Sequence, residues 1–127
     1  MRLVLVRHAE AAPGTPDELR ALTREGHEQA RRLGDQLRAD GIEPDAVLSS
    51  PLLRALETAS DLGFGPPEAL DELAPGATEE SVRAAVADRG ETVVVVGHQP
   101  DCSQIAAALG DGAEPAFPPA GAHVFEL

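Results

Sequence analysis

The sequence predicts an α/β protein of three layers, with helices on both faces of a mostly parallel central sheet, in a single domain spanning residues 1–127. Two observations carry that reading. Short aliphatic and β-branched runs alternate along the chain with segments of helical periodicity. The clearest runs, Arg2–Val6 and Glu91–Val96, are apolar without interruption over Leu3–Val6 and Val93–Val96, the second holding four consecutive valines. That pattern marks strands buried inside a sheet.

Taken in order, Arg2–Val6 forms the first strand and runs into a loop containing Pro13, Gly14 and Pro16. Thr23 has the hydroxyl of an N-cap, and a helix follows to about Asp40, with Gly41 as its stop signal. Ala30, Leu33 and Leu37 share its apolar face, while Glu25, Glu28, Arg31, Arg32 and Arg38 lie mostly on the solvated side. Asp45–Leu48 is a second short strand. Pro51 suits the first turn of a helix, so Pro51–Leu62 is expected to be helical. Residues 63–77 are rich in Gly and Pro and read as a loop with room for a short edge strand. Thr78 caps a helix through Asp88 that ends at Gly90, ahead of the valine strand. A helix over Cys102–Leu109, a Gly/Pro-rich link and a last strand over Ala122–Leu127 complete the chain.

Composition narrows the functional classes. A hydrophobic fraction of 43% and a charged fraction of 25% are ordinary for a globular protein, and 2% aromatic residues leave Leu, Val, Ile and Ala to fill the interior. The formal net charge of −12 argues against nucleic acid or an anionic membrane as partner, since both are bound through basic patches. The single cysteine, Cys102, rules out an internal disulfide, and the apolar run Leu3–Val6 is far too short for a signal or membrane segment. The chain therefore reads as soluble and cytosolic. All ten basic residues are arginine.

In an open α/β sheet, ligands bind beyond the carboxyl ends of the strands. Arg7-His8 follows the first strand directly and Gly97-His98 follows the valine strand. The second strand leads into Ser49-Ser50-Pro51 and then Arg54, early in a helix whose N-terminal amides favour an anion. Two guanidinium forks, two imidazoles and a helix N-terminus at one sheet edge suit a tetrahedral dianion, which arginine binds in two-point fashion and a neutral imidazole can attack in line.

These segments resemble the histidine phosphatase superfamily, which includes the cofactor-dependent phosphoglycerate mutases, and more narrowly its short bacterial branch of SixA-type phosphohistidine phosphatases. The matching pieces are Arg7-His8, Ser49-Ser50-Pro51 with Arg54, Ala55, Thr58 and Ala59, Leu70-Asp71-Glu72-Leu73, and Gly97-His98 with Pro100. They span most of the chain in family order. The resemblance implies a phosphoglycerate mutase-like fold and a phosphatase without metal or other cofactor. It further implies that His8 becomes phosphorylated while Arg7, Arg54 and His98 bind the phosphoryl group. Ala9 stands where the superfamily often has Gly, and Glu57 where Gln is common; neither change removes a phosphate ligand.

The proton donor is more open. Glu72 lies where related enzymes carry their general acid, with Asp17 and Glu18 as alternatives. A phosphohistidine substrate relaxes the need, because it departs as neutral imidazole, whose conjugate acid has a pKa of about 6.5. Arg20 matches an arginine near the pocket of the short branch and is a further substrate-binding candidate, set against a surface ion pair. The short chain leaves little length to cover the site, which favours a phosphorylated protein, phosphohistidine above all, over a small phosphomonoester such as a sugar or nucleotide phosphate. A non-catalytic phospho-ligand domain would have no use for His8.

The remaining polar residues have plainer readings. His27 is a solvated helix residue, His123 has no assigned role, and Cys102 is a small semi-buried residue. It is no cysteine-phosphatase nucleophile, since Ala108 stands where that chemistry needs arginine. The histidine spacing fits no metal motif, and no Gly-rich nucleotide loop with lysine occurs.

Overall fold

The computed structural model describes all residues from Met1 to Leu127. Five strands form one sheet: β1 (Arg2–Arg7), β2 (Ala46–Ser49), β3 (Glu68–Ala69), β4 (Thr92–Gly97) and β5 (Ala122–Glu126). Their order across the sheet is β3-β2-β4-β1-β5, with only β5 antiparallel to its neighbour. Four helices flank it: α1 (Arg24–Ala39), α2 (Leu53–Asp61), α3 (Glu79–Val86) and α4 (Asp101–Leu109).

The uninterrupted apolar runs are explained by burial on both faces. Leu3, Leu5, Val93 and Val95 pack with Val82, Val86, Ile105 and Ala106 of α3 and α4. The alternate residues Val4, Val6, Val94 and Val96 pack with Leu37 of α1 and Ala55 and Ala59 of α2. All eight strand residues are at most 1% exposed. Each such Val or Leu contributes roughly 1.5–3 kcal/mol through burial, so the two central strands hold both layers together. Phe117 is the one aromatic ring in the buried core.

Local signals act as the sequence reading expects at several helix ends. Thr23 Oγ1 accepts from the Gly26 amide at α1, and Thr78 forms a reciprocal capping box with Ser81 at α3. Gly41, at φ +80°, turns the chain out of α1. Three expectations need correction. Helix α2 begins at Leu53, so Pro51 lies in the bend before it and serves the turn out of β2. Helix α3 stops at Val86, two residues earlier than expected, and Asp88 takes a left-handed conformation at φ +60°. His27 is half-buried, its Nδ1 2.6 Å from Asp61 Oδ2, so it joins α1 to α2 and is not free in solvent.

Two glycines let backbones meet. A Cβ on Gly34 would run into the Leu62 carbonyl at the end of α2, and one on Gly26 would run into the Glu10 carbonyl. The second contact matters for the site, since Glu10 lies two residues beyond His8 and its carbonyl also accepts from the Thr23 amide. No helix is long and apolar enough to cross a membrane.

Candidate active site

The topology sets where chemistry can occur. Strands β1 and β4 are adjacent and parallel, yet β1 leads to α1 on one face and β4 to α4 on the other. Helices that leave neighbouring strands in opposite directions open a crevice at the carboxyl ends. His8 and His98 stand there, one residue beyond the paired Arg7 and Gly97, with ring centroids 5.3 Å apart.

His8 is held at three points. Its amide donates to the Gly97 carbonyl, its carbonyl accepts from the Ala120 amide, and Nδ1–H donates to the Ala9 carbonyl at 2.7 Å. That last bond fixes the tautomer and leaves a lone pair on Nε2. Burial, then the charges of Arg54, Arg7 and Arg20, lower the His8 pKa below its ordinary value, although the Ala9 bond opposes them. The ring is accordingly neutral at physiological pH.

His98 is buried and its Nε2 lies 2.7 Å from Ser50 Oγ. The same oxygen accepts from the Leu52 amide at 3.2 Å, and Nε2 is the one acceptor given to its hydroxyl hydrogen, which assigns the His98 proton to Nδ1. Burial first, then His8 and Arg54, push its pKa down to about 4.

The arginines are each tied through Nη. Arg7 Nη1 donates to the Phe117 carbonyl at 3.0 Å, where the link after α4 folds back over the sheet edge. Arg54, 7% exposed in the first turn of α2, donates from Nη1 to the Asp17 carbonyl at 2.9 Å and from Nη2 to Asp17 Oδ2 at 3.2 Å. Thr58 joins this helix to the His8 loop, its Oγ1 donating to the Arg54 carbonyl and accepting from the Ala9 amide.

One pattern stands out. The buried side-chain nitrogen and oxygen atoms without a partner are Arg7 Nε, Arg54 Nε and His98 Nδ1, and there are no others. All three are donors. An unpaired buried donor costs about 1–3 kcal/mol, so three of them on residues near the ends of β1, β2 and β4 call for an explanation. Arginine N–H groups and an imidazole N–H are donors of the kind that phosphoryl oxygens accept from.

The other sequence candidates lie as follows. Asp17 and Arg20 join the cluster, Arg20 Nη1 donating to Asp17 Oδ1 at 3.1 Å and Arg20 Nε to the Ala12 carbonyl at 2.9 Å. Glu18 is exposed in the same 3-10 turn, Asp17–Leu19. Glu72 is exposed in a second 3-10 turn, Asp71–Leu73, anchored at the end of β2 by the Leu70 amide on the Ser49 carbonyl. Cys102 is wholly buried, and burial followed by Asp101 pushes its thiol up to about 12, which leaves it inert. His123 Nε2–H donates to the Ala116 carbonyl, its ring edge against Phe117. Ser50, Thr58 and the Phe117 carbonyl have positions in the site that sequence reasoning did not assign. Ser50 and Thr58 were visible in the matching segments, but the Phe117 carbonyl carries no side-chain signal at all.

Fold and site together define a phosphate-handling α/β enzyme. The family model for the histidine phosphatase superfamily (branch 1) matches residues 3–89, and the chain belongs to that superfamily. Within it the chain falls in the SixA-type branch and is a phosphatase. It is 30% identical over 125 residues to the phosphohistidine phosphatase SixA of Escherichia coli strain K12, covering 91% of this chain and 78% of that protein. An uncharacterised protein of Mycobacterium tuberculosis is 37% identical over 110 residues, covering 82% of this chain and 69% of its own length. The structure of the protein histidine phosphatase SixA complexed with tungstate superposes with a TM-score of 0.90 at 28% identity, covering 100% of this chain and 88% of that one.

Proposed function

We propose that this phosphatase works without a metal ion, through a phosphorylated His8, and that its substrate is phosphohistidine presented on a partner protein. The supporting observation is the set of three unpaired buried donors around a neutral imidazole. His8 Nε2 attacks phosphorus in line, forming a P–N bond as the bond to the leaving group breaks with its electron pair. Arg7, Arg54 and His98 Nδ1–H hold the equatorial oxygens and stabilise the charge they gain. Water then attacks the phosphoryl group, the P–Nε2 bond breaks, and the pair returns to His8 with release of inorganic phosphate.

Leaving-group chemistry favours the phosphoramidate. Asp17 is a poor acid: hydrogen bonding from Arg20 first, and from Arg54 next, holds its carboxyl below the usual carboxylate range. Glu72 remains the candidate donor for esters, on the strength of its position in the family segment. A phosphohistidine protonated on its distal nitrogen leaves as neutral imidazole and needs no strong acid. The hollow that His98 lines is apolar, shared with Leu5, Val95 and Cys102. SixA of Escherichia coli is named for phosphohistidine, in accord with this reading.

The test compares rates on a phosphohistidine-bearing protein with rates on sugar, nucleotide and aryl phosphates, in chelator and without added metal. Acid-labile 32P on wild-type protein and its absence from His8→Ala are expected. A His8→Ala protein that turns over at the wild-type rate would refute the mechanism. A small phosphoester hydrolysed best by far would replace the substrate assignment, and loss of activity in chelator would remove metal independence.

A further inference from the structure

We propose that Asp17 is a positioning residue, gripping the Nη end of Arg54 so that the Nε edge stays aimed at the phosphoryl group. The proposal rests on the reading above. Asp17 provides both hydrogen bonds that the chain gives the Arg54 side chain, one from its carbonyl and one from its carboxylate. Without the carboxylate, a long side chain with its Nε unpaired is held by one bond. The other carboxylate oxygen ties Arg20, whose Nε is fixed to Ala12. One carboxylate thus spans two guanidinium groups beside the two imidazoles.

Asp17 itself sits on a fixed support. The loop between His8 and α1 is cross-linked by the Ala12 amide on the Ala21 carbonyl and by an isolated bridge between Ala11 and Leu22. The Leu22 amide donates to Glu57 Oε1 at 2.8 Å, which fastens the loop to α2, the helix that carries Arg54. Loop, Asp17 and Arg54 therefore form a closed ring of contacts.

Stability alone does not explain the arrangement. The Arg54 side chain is 8% exposed, but the Asp17 carboxylate paired with it is 59% exposed, so solvent screens the attraction. A carboxylate beside a phosphate site also repels the substrate, a disadvantage for binding. The balance turns favourable if the gain falls in the transition state, where a correctly aimed arginine matters most. A proton-donor role is disfavoured by geometry, since both carboxylate oxygens already accept from arginine.

The experiment uses wild type, Asp17→Ala, Asp17→Asn and Arg54→Ala, with Asp17→Ala also placed in the Arg54→Ala background. Rates are measured on aryl phosphates of graded leaving-group pKa. In Asp17→Ala, kcat is expected to fall ~10–100-fold, by the same factor across the series, while KM stays level or drops because a repelling charge is gone. Asp17→Asn, whose amide oxygen still accepts from Arg54, should recover part of the loss. In the Arg54→Ala background Asp17→Ala should cost nothing further. A loss that grows with leaving-group pKa would assign Asp17 to proton donation and overturn the proposal. So would Asp17→Ala kinetics within twofold of wild type, a full additional loss without Arg54, or a rise in KM that accounts for the whole effect. An inactive wild-type protein would instead defeat the phosphatase reading on which the proposal rests.

Discussion

Replacing Arg54 by lysine keeps the positive charge and removes the fork, which isolates the contribution of geometry. Arginine has five N–H donors; the chain uses one on each Nη for Asp17, and Nε–H is left buried and unpaired. A lysine ammonium has three donors at one point. To reach Asp17 it must withdraw from the phosphoryl group, and to reach the phosphoryl group it must release Asp17. The transition state therefore loses at least one preorganised, charge-assisted donor in a site where the residue is only 7% exposed. Removing such a donor costs about 2.7–4 kcal/mol, or ~10²–10³ in kcat. The assay is steady-state hydrolysis of an aryl phosphate at saturating substrate, with thermal unfolding of the same preparation as control. The loss should appear mainly in kcat, because ground-state attraction of a dianion survives with the charge. If Arg54→Lys retained kcat within tenfold of wild type, the fork would be irrelevant and the case for a phosphoryl clamp would collapse.

Four further outcomes follow from the same structure. Ser50→Ala removes the hydroxyl that directs the His98 proton to Nδ1, so kcat should drop ~10-fold or more and 15N chemical shifts of His98 should report a mixed tautomer; an unchanged spectrum would contradict the assignment. The acid limb of kcat/KM, after correction for substrate ionisation, should lie below 6.5, because a lowered His8 pKa keeps the ring neutral until more acid is added, and rates fall as pH drops through that value. Arg54→Ala, which removes a lowering charge, should move that limb upward, and a shift in the other direction would refute the electrostatic account. Gly34→Ala drives a Cβ into the Leu62 carbonyl, so a destabilisation of about 2 kcal/mol or more is expected from overpacking, with Tm falling while the kinetics of the folded protein stay normal.

The sequence by itself determined the layered α/β architecture, because strands buried on both faces must be apolar throughout and Leu3–Val6 and Val93–Val96 satisfy that without help from distant residues. It also determined the Thr23 and Thr78 caps, which depend only on side chains reaching amides within one turn. Short-range chemistry likewise placed Arg7-His8, Arg54 and His98 at strand and helix ends. Pro51 misled because a proline's fixed φ suits a bend as well as a first helical turn, and local preference cannot separate the two. His27 misled because its partner, Asp61, lies 34 residues away.

Only the tertiary structure decided which donors of the two arginines and of His98 are left unpaired. The bonds that occupy Arg7 and Arg54 come from the Phe117 and Asp17 carbonyls, 110 and 37 residues distant, and a backbone carbonyl has no signature in sequence. Asp17, which the sequence offers only as an alternative proton donor beside Glu18, is set by the fold between two guanidinium groups. Residue type records what a side chain is able to do; its free valences depend on every neighbour that chain folding brings within hydrogen-bond range.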